Sequence, residues 1–118
     1  MAVVRITDLT LKTIIGINDW ERKRKQKIVI NASFRYDSRK AQQSDNIKDS
    51  VDYKIISKKI IGRVEKTKFS LLERLTAYIL DIIMEDRAVR EATVRVDKPL
   101  ALRFSRSVSV ELSKKRDK

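Results

Sequence analysis

The sequence predicts an α+β protein in which a four-stranded antiparallel sheet carries two helices on one face. Three observations predict this class. Two alternating, β-branched segments come first, two segments with helical spacing follow, and two alternating segments close the chain, giving the order ββααββ. The chain has 118 residues with only two glycines and one proline, which favours one domain over residues 1–118 built from well-formed elements and short connections.

The first two strands are predicted at residues 3–17 and 27–36. Val3–Ile17 is β-branched and roughly alternating, and the alternation slips at Asp8, which predicts a β-bulge. In Lys27–Tyr36 the apolar and polar side chains fall on opposite faces, as is typical of a half-buried strand. The residues between the strands are mostly charged and predict a polar loop, so the two strands should be antiparallel neighbours.

The middle of the chain predicts two helices. From Val51 to Lys66 the isoleucines are spaced to form one apolar face, and Asp49 or Ser50 is the predicted cap. The second helix should begin at Ser70, whose spacing to Glu73 matches a capping box. Its apolar stripe comprises Leu71, Leu72, Leu75, Ile79, Ile82 and Ile83.

Two further strands are predicted at residues 92–97 and 102–112, followed by a charged tail, Ser113–Lys118, that we expect to be frayed. Four strands with helices on one face leave both sheet edges and the second face without partners. Edge strands with unpaired backbone groups are usually covered in native proteins. The sequence therefore predicts a homo-oligomer in which subunits pair their sheet edges.

The composition excludes several kinds of chemistry. The chain has no cysteine and no histidine, so a disulfide scaffold, a thiol nucleophile, a Ser-His-Asp triad and a zinc finger are ruled out. Catalysis would have to use Lys, Tyr, Asp or Glu. The sequence has neither an apolar run of 18 residues nor a signal-peptide pattern, so we expect a cytoplasmic protein with no membrane partner.

Three positions could carry chemistry, and each also has a simpler structural interpretation. Glu21 could be a solvated glutamate beside Trp20, with Trp20 covering the end of the sheet. Glu73 could be the capping-box carboxylate, or a carboxylate held ionised at a helix N-terminus, where it could bind a heterocycle with two N–H donors. Lys98 could be solvated, or it could transfer protons in a partly desolvated pocket.

The chain carries 28 Lys and Arg against 16 Asp and Glu, a net charge of +12, and its basic run Arg22–Lys27 could bind nucleic acid. The run could equally be a solvated hairpin tip, because no aromatic residues interleave with it as base stacking would require. This binding module is the remote alternative to an enzyme.

The chain resembles the family of dihydroneopterin aldolases and dihydroneopterin triphosphate 2′-epimerases over nearly its whole length. The motifs that carry the resemblance are Ile15-Gly16-Ile17, Asp19-Trp20-Glu21, Gln26–Ile30, Ser44-Asp45-x-Ile47, Asp52-Tyr53, Phe69–Arg74 and Asp97-Lys98-Pro99. The resemblance implies the tunnelling fold, in which subunits join their sheets into a barrel. It also implies an octamer of two tetrameric rings, a dihydropterin substrate bound between subunits, and no cofactor or metal.

By the same resemblance, three residues are catalytic and four bind the substrate. Lys98 moves protons at the 2′-hydroxyl and at N5, Tyr53 reaches in from the adjacent subunit, and Glu21 lies near the substrate side chain. The residues implied to bind the pterin are Glu73, which anchors its 2-amino and N3 positions, together with Leu72, Val51 and Asp52.

The two branches of the family differ in which segments they match. Asp19-Trp20-Glu21 is similar to the aldolases, whereas residues 69–76 and 97–109 are more similar to the epimerases, and on balance the epimerase branch is favoured. The alternatives are the aldolase of folate biosynthesis and a related subunit that binds a pterin without catalysis. A triphosphate on the substrate would favour nearby cations, for which Arg22, Arg103 and Arg106 are candidates.

Overall fold

A computed structural model describes residues 1–117. Five strands form one sheet in the order β3-β1-β2-β4-β5. The neighbouring strands are antiparallel, except that β3 runs parallel to the end of β1. The prediction of four strands missed β3, which is only two residues long. The bounds are β1 Ala2–Ile15, β2 Gln26–Tyr36, β3 Lys68–Phe69, β4 Glu91–Pro99 and β5 Ser107–Lys115.

Two long helices pack on one face of the sheet, as predicted. The helices are α1 Asp19–Arg22, α2 Arg39–Ser44, α3 Tyr53–Val64 and α4 Leu72–Met84, with a 3₁₀ turn at Ile47–Asp49. The short helix α1 lies inside the segment that was predicted to be a loop. None of the helices in residues 1–117 has the length and apolar character needed to cross a membrane.

The predicted bulge at Asp8 is confirmed, and it keeps one face of β1 in the core. The pairing of β1 with β2 shifts register between Ile6 and Leu9, and Asp8 has a φ of 55°. Before the bulge the even-numbered side chains face the core, and after it the odd-numbered side chains do. The helix-covered face of β1 therefore carries Ala2, Val4 and Ile6 and then Leu9, Leu11, Thr13 and Ile15. Ile15, the last residue of β1, is therefore buried.

The core lies between the helices and the sheet. The predicted inner face of β2 is confirmed, because Ile28, Ile30, Ala32, Phe34 and Tyr36 are all buried. They pack with the apolar stripe of α4, of which Leu75, Ile79, Ile82 and Ile83 are buried. Burying each such side chain contributes about 1.5–3 kcal/mol, which fixes the sheet against the helices.

Both predicted helix caps are wrong. Asp52 caps α3, because its carboxylate accepts hydrogen bonds from the backbone N–H groups of Lys54 (3.0 Å) and Ile55 (3.3 Å). The hydroxyl of Ser50, one of the predicted caps, instead lies 3.0 Å from the hydroxyl of Tyr36. The N-cap of α4 is Leu71, whose apolar side chain cannot accept a hydrogen bond from the first N–H groups of the helix. No capping box therefore forms at this helix.

The predicted fourth long strand and the frayed tail also need correction. The strand begins at Ser107 rather than Leu102 and continues to Lys115. Beyond it, the Arg116 guanidinium donates hydrogen bonds to the carbonyls of Met84 (2.6 Å) and Val89 (2.9 Å), which holds the chain against the end of α4. The last residue of the predicted tail, 118, lies outside the described residues.

The sheet has two well-separated ends. At one end β1 finishes, β2 begins and β4 finishes with Lys98 and Pro99, and we call this the lysine end. At the other end β2 finishes at Tyr36, and we call this the tyrosine end. The 11 residues of β2 span the distance between the ends, which is roughly 33 Å for an extended strand. The contact between Tyr36 and Ser50 places the start of α3 at the tyrosine end.

Candidate active site

Glu21 is buried at the lysine end, with only 5% of its surface exposed. The helix α1 follows β1 directly and turns the carboxylate back toward the sheet. One carboxylate oxygen accepts hydrogen bonds from the backbone N–H (3.2 Å) and the side-chain amide (3.0 Å) of Asn18. The other accepts from Gln26 Nε2 (3.3 Å) and from Lys98 Nζ. The interpretation as a solvated glutamate is therefore wrong, and Trp20 beside it is exposed rather than covering the sheet end.

Lys98 approaches Glu21 from the end of β4. Side chains alternate along this strand, and Val94 and Val96 are fully buried, so Lys98 lies on the same helix-covered face. Its side chain is 14% exposed and forms an ion pair with Glu21. The interpretation as a solvated lysine is also wrong. The structure thus brings together two predicted catalytic residues that are 77 positions apart in the sequence.

The surroundings of Glu21 fix its protonation state. The hydrogen bond from Lys98 lowers the pKa of the Glu21 carboxyl most; burial opposes this effect, and the hydrogen bonds from Asn18 and Gln26 lower the pKa further. The net result is a pKa lowered from 4.5 to about 2. At neutral pH Glu21 is therefore an anion and a weak base. Its carboxylate pairs with the amino group of Lys98 and holds that side chain at the end of β4.

This pKa shift predicts a dependence of stability on pH. Folding lowers the pKa of Glu21, so the carboxylate stabilises the folded state above pH 4.5, and this contribution is lost as the pH falls toward 2. The contribution is about 3 kcal/mol. In urea unfolding between pH 6 and pH 2, the stability difference between the wild type and Glu21→Gln should narrow steadily. A stability difference that stays constant over this pH range would contradict the lowered pKa of Glu21.

The Glu21 carboxylate lies directly against the backbone of Gly16. Its φ is +130°, a conformation that residues with a Cβ rarely adopt. A Cβ at this position would lie 2.2 Å from Glu21 Cδ, far inside van der Waals contact. The N–H of Gly16 also donates to the carbonyl of Phe69 in β3 (3.2 Å). The site therefore requires glycine at this position.

Arg22 fastens β3 to this end of the sheet. Its guanidinium donates hydrogen bonds to the carbonyls of Lys68 (2.6 Å), Phe69 (3.0 Å) and Gly16 (3.1 Å). With these three acceptors Arg22 has a structural role, so it is a poor candidate for a phosphate ligand. Its position inside the basic run also removes one cation from any patch that would bind nucleic acid.

Leu72 and Glu73 belong to the lysine end as well, because β3 pairs with Ile14 and Ile15 and leads directly into α4. Glu73 lies in the first turn of α4, where the unpaired N–H groups favour a negative charge. Its carboxylate is exposed and has no hydrogen bond or ion pair within residues 1–117. It is therefore available to a ligand with N–H donors.

The remaining predicted site residues lie at the tyrosine end. Val51 is 1% exposed, Asp52 is the α3 cap, and Tyr53 is 54% exposed at the start of α3. Since the two ends of the sheet are separated by the length of β2, Tyr53 does not meet Lys98 within one chain. We call Glu21, Lys98, Leu72 and Glu73 the lysine half-site, and Val51, Asp52 and Tyr53 the tyrosine half-site.

Two residues that hold the ion pair were not predicted to be part of the site. Asn18 and Gln26 flank Glu21 in the sequence, and their side-chain amides supply neutral donors to its carboxylate. Gln26 Nε2 also donates to the carbonyl of Ile15 (2.8 Å), which connects the carboxylate to the end of β1. Amide side chains at these spacings around a glutamate are the only sequence signal that could have identified them.

The fold and the site define a small α+β protein with a lysine–glutamate ion pair buried at one end of its sheet. The dihydroneopterin aldolase (FolB) family model matches residues 4–113. The chain is 47% identical over 113 residues to the dihydroneopterin triphosphate 2′-epimerase of Pseudomonas aeruginosa, covering 96% of this chain and 92% of the relative. The chain belongs to the dihydroneopterin aldolase family.

Two proteins of Escherichia coli give a further comparison. The chain is 46% identical over 112 residues to a dihydroneopterin triphosphate 2′-epimerase from strain K12, covering 95% of this chain and 93% of the relative. It is 30% identical over 110 residues to the dihydroneopterin aldolase of the same strain, covering 93% and 90%. The crystal structure of E. coli dihydroneopterin aldolase in complex with neopterin matches with a TM-score of 0.91 at 29% identity, covering 97% and 99%.

Proposed function

We propose that the chain is a dihydroneopterin triphosphate 2′-epimerase. The observation that carries an acid–base enzyme is the buried ion pair of Lys98 with Glu21 at the lysine end. The observation that favours the epimerase is the higher identity to two relatives of that name, 47% and 46% against 30% to an aldolase. The alternative is a dihydroneopterin aldolase, which needs the same residues.

The reaction needs only proton transfers from the protein. The C6=N5 imine of a 7,8-dihydropterin accepts the electrons of the C1′–C2′ bond when the 2′-hydroxyl loses its proton. This retro-aldol step yields an enamine of the pterin and a two-carbon aldehyde. Lys98 exchanges the protons at the 2′-hydroxyl and N5, and Glu21 holds the Lys98 ammonium in position. Re-addition of the rotated aldehyde gives the 2′-epimer, whereas its escape and protonation of the enamine give 6-hydroxymethyl-7,8-dihydropterin.

The substrate site is proposed to form between two subunits. Glu73 and Leu72 of one subunit bind the pterin, and Tyr53, Val51 and Asp52 of a neighbour complete the site. The wide separation of the lysine and tyrosine half-sites within one chain supports this arrangement. So do the two sheet edges, β5 and the greater part of β1, since β1 pairs with β3 only at its last two residues.

Joining the edges of successive subunits would give a barrel, and we propose the octamer of two tetrameric rings that the family resemblance implies. A head-to-tail ring places the lysine half-site of each subunit beside the tyrosine half-site of the next. Location in the cytoplasm stays a prediction.

A product assay tests the proposed activity. The wild type is incubated in parallel with 7,8-dihydroneopterin and with its 3′-triphosphate, and the pterin products are separated after dephosphorylation. We expect the 2′-epimer from the triphosphate as the main product. If 6-hydroxymethyl-7,8-dihydropterin from the unphosphorylated substrate dominates instead, the chain is an aldolase. If neither substrate reacts, the enzymatic assignment is wrong.

A further inference from the structure

The connection between β4 and β5 is a closed loop with a strained tip. At its base, the N–H of Leu100 donates to the carbonyl of Arg106 (2.9 Å); at its tip, the N–H of Ser105 donates to the carbonyl of Leu102 (3.4 Å). Leu100 has a φ of 60° and Phe104 a φ of 67°. Each left-handed residue other than glycine costs about 1–2 kcal/mol. Phe104 is fully exposed, so no packing among residues 1–117 compensates for this cost.

Arg103 stands beside Phe104 at the tip of the loop. Its guanidinium lies 5.5 Å from the centre of the Phe104 ring, and within residues 1–117 no carboxylate pairs with it. The other two candidate arginines are placed differently. Arg22 is held by three carbonyls. Arg106 lines a surface cavity with Asp97 on the sheet face opposite the helices. Arg103 is therefore the candidate that has neither a hydrogen-bonding partner nor a place on the opposite face.

The loop begins immediately after the Lys98 end of β4. The pairing of Pro99 with Ser107 closes its base, so the tip can extend only a few residues from Lys98. Arg103 is five residues from Lys98, which limits their Cα atoms to at most about 17 Å apart. In the proposed substrate the phosphates begin on C3′, the carbon next to the bond that is cleaved. A triphosphate that extends from C3′ of a substrate bound at Lys98 can therefore reach the Arg103 side chain at the loop tip.

We propose that Arg103, presented by the strained turn at Phe104, binds the triphosphate of the substrate and retains the cleaved aldehyde. The inference rests on the proposed function and adds a specificity residue to it. In the retro-aldol step the Lys98 ammonium donates a proton to N5, the C1′–C2′ bond breaks as its electrons move toward N5, and the amine left on Lys98 takes the 2′-hydroxyl proton. The released fragment is glycolaldehyde that still carries the triphosphate. Charge-assisted hydrogen bonds from Arg103 hold this anion while it rotates and adds back, so that epimerisation exceeds cleavage.

The test compares Arg103→Ala with the wild type on both substrates. Loss of a charge-assisted hydrogen bond predicts a fall of about 10- to 100-fold in kcat/KM for the triphosphate. The ratio of cleaved product to epimer should rise, and kcat/KM for unphosphorylated dihydroneopterin should stay within about two-fold of the wild type. Arg103→Lys should recover only part of the loss, because an ammonium cannot bind phosphate through two parallel hydrogen bonds.

Arg87→Ala is the matched control, since it removes one exposed arginine from the turn between α4 and β4, away from the two sheet edges. It should leave both substrates and the product ratio unchanged. An unchanged product ratio and kcat/KM for Arg103→Ala, or an equal loss on both substrates, would overturn the role of Arg103 while the wild type still epimerises the triphosphate. A wild type that does not epimerise the triphosphate overturns the proposed function itself.

Discussion

Lys98→Ala should lower kcat for epimerisation by about 10²–10⁴-fold, the usual contribution of a positioned general acid–base group. The loss should appear in kcat rather than in pterin affinity, because Glu73 and Leu72 remain to bind the ring. Stopped-flow fluorescence of pterin binding together with product assays would separate the two effects. Lys59→Ala is a suitable control, since Lys59 is a lysine of α3 that pairs with Glu85 at the surface (3.4 Å), away from the sheet edges.

The same substitution leaves the buried Glu21 carboxylate without its cation, and removing one partner of a buried pair typically costs about 3–5 kcal/mol. A misfolded variant would be inactive for a trivial reason. The double variant Glu21→Gln with Lys98→Met removes both charges, keeps similar side-chain volumes, and should fold while remaining inactive. If either folded variant turned over substrate near the wild-type rate, the acid–base role of Lys98 would be wrong.

Gly16→Ala should damage both stability and activity. The added Cβ would lie 2.2 Å from Glu21 Cδ and 2.3–2.4 Å from its carboxylate oxygens, at a φ of +130°. Backbone strain in such a region costs on the order of 1–3 kcal/mol. The carboxylate would also have to move, and that movement would disturb the position of Lys98. We therefore expect a lower unfolding midpoint and a loss of kcat of more than about ten-fold.

Gly62→Ala provides the matched control for this prediction. Gly62 lies within α3, and apart from the adjacent residues and the backbone of the helix itself, no heavy atom would lie within 4 Å of a Cβ added there. Alanine favours a helix interior over glycine by about 0.5–1 kcal/mol, so this variant should be slightly more stable and fully active. Denaturant unfolding would compare the stabilities of the two variants, and product assays would compare their activities. If Gly16→Ala were as stable and as active as Gly62→Ala, Gly16 would not be required beside the Glu21 carboxylate.

Most of the architecture could be predicted from the sequence because alternation and helical spacing report which side of an element is buried. The inner face of β2 and the bulge at Asp8 followed directly from that pattern. The strand β3 could not be predicted, because two residues carry no periodicity. The cap of α3 was misplaced because Asp49, Ser50 and Asp52 are all good capping residues. Asp49 and Ser50 bind other side chains, Ser44 and Tyr36, and only Asp52 accepts from the first N–H groups of the helix.

The site was harder to predict because its parts come together only in three dimensions. No local pattern connects Glu21 with Lys98, and each residue alone is most simply interpreted as solvated. The family resemblance named both residues, but it did not reveal that Glu21 is buried, or that Asn18, Gln26 and Gly16 enclose its carboxylate. The charge of the tail was equally misleading, since Arg116 is held by the carbonyls at the end of α4.

The lysine half-site of one subunit should work together with the tyrosine half-site of another, and mixed oligomers can test this pairing. Lys98→Ala damages the first half-site and Tyr53→Phe the second, so each homo-oligomer should be strongly impaired. Co-refolded in equal amounts, the two variants should place intact halves together at about one quarter of the sites in a head-to-tail ring. We predict epimerase activity near that fraction of the wild type. Activity no greater than the mean of the two parent variants would contradict a site shared between subunits.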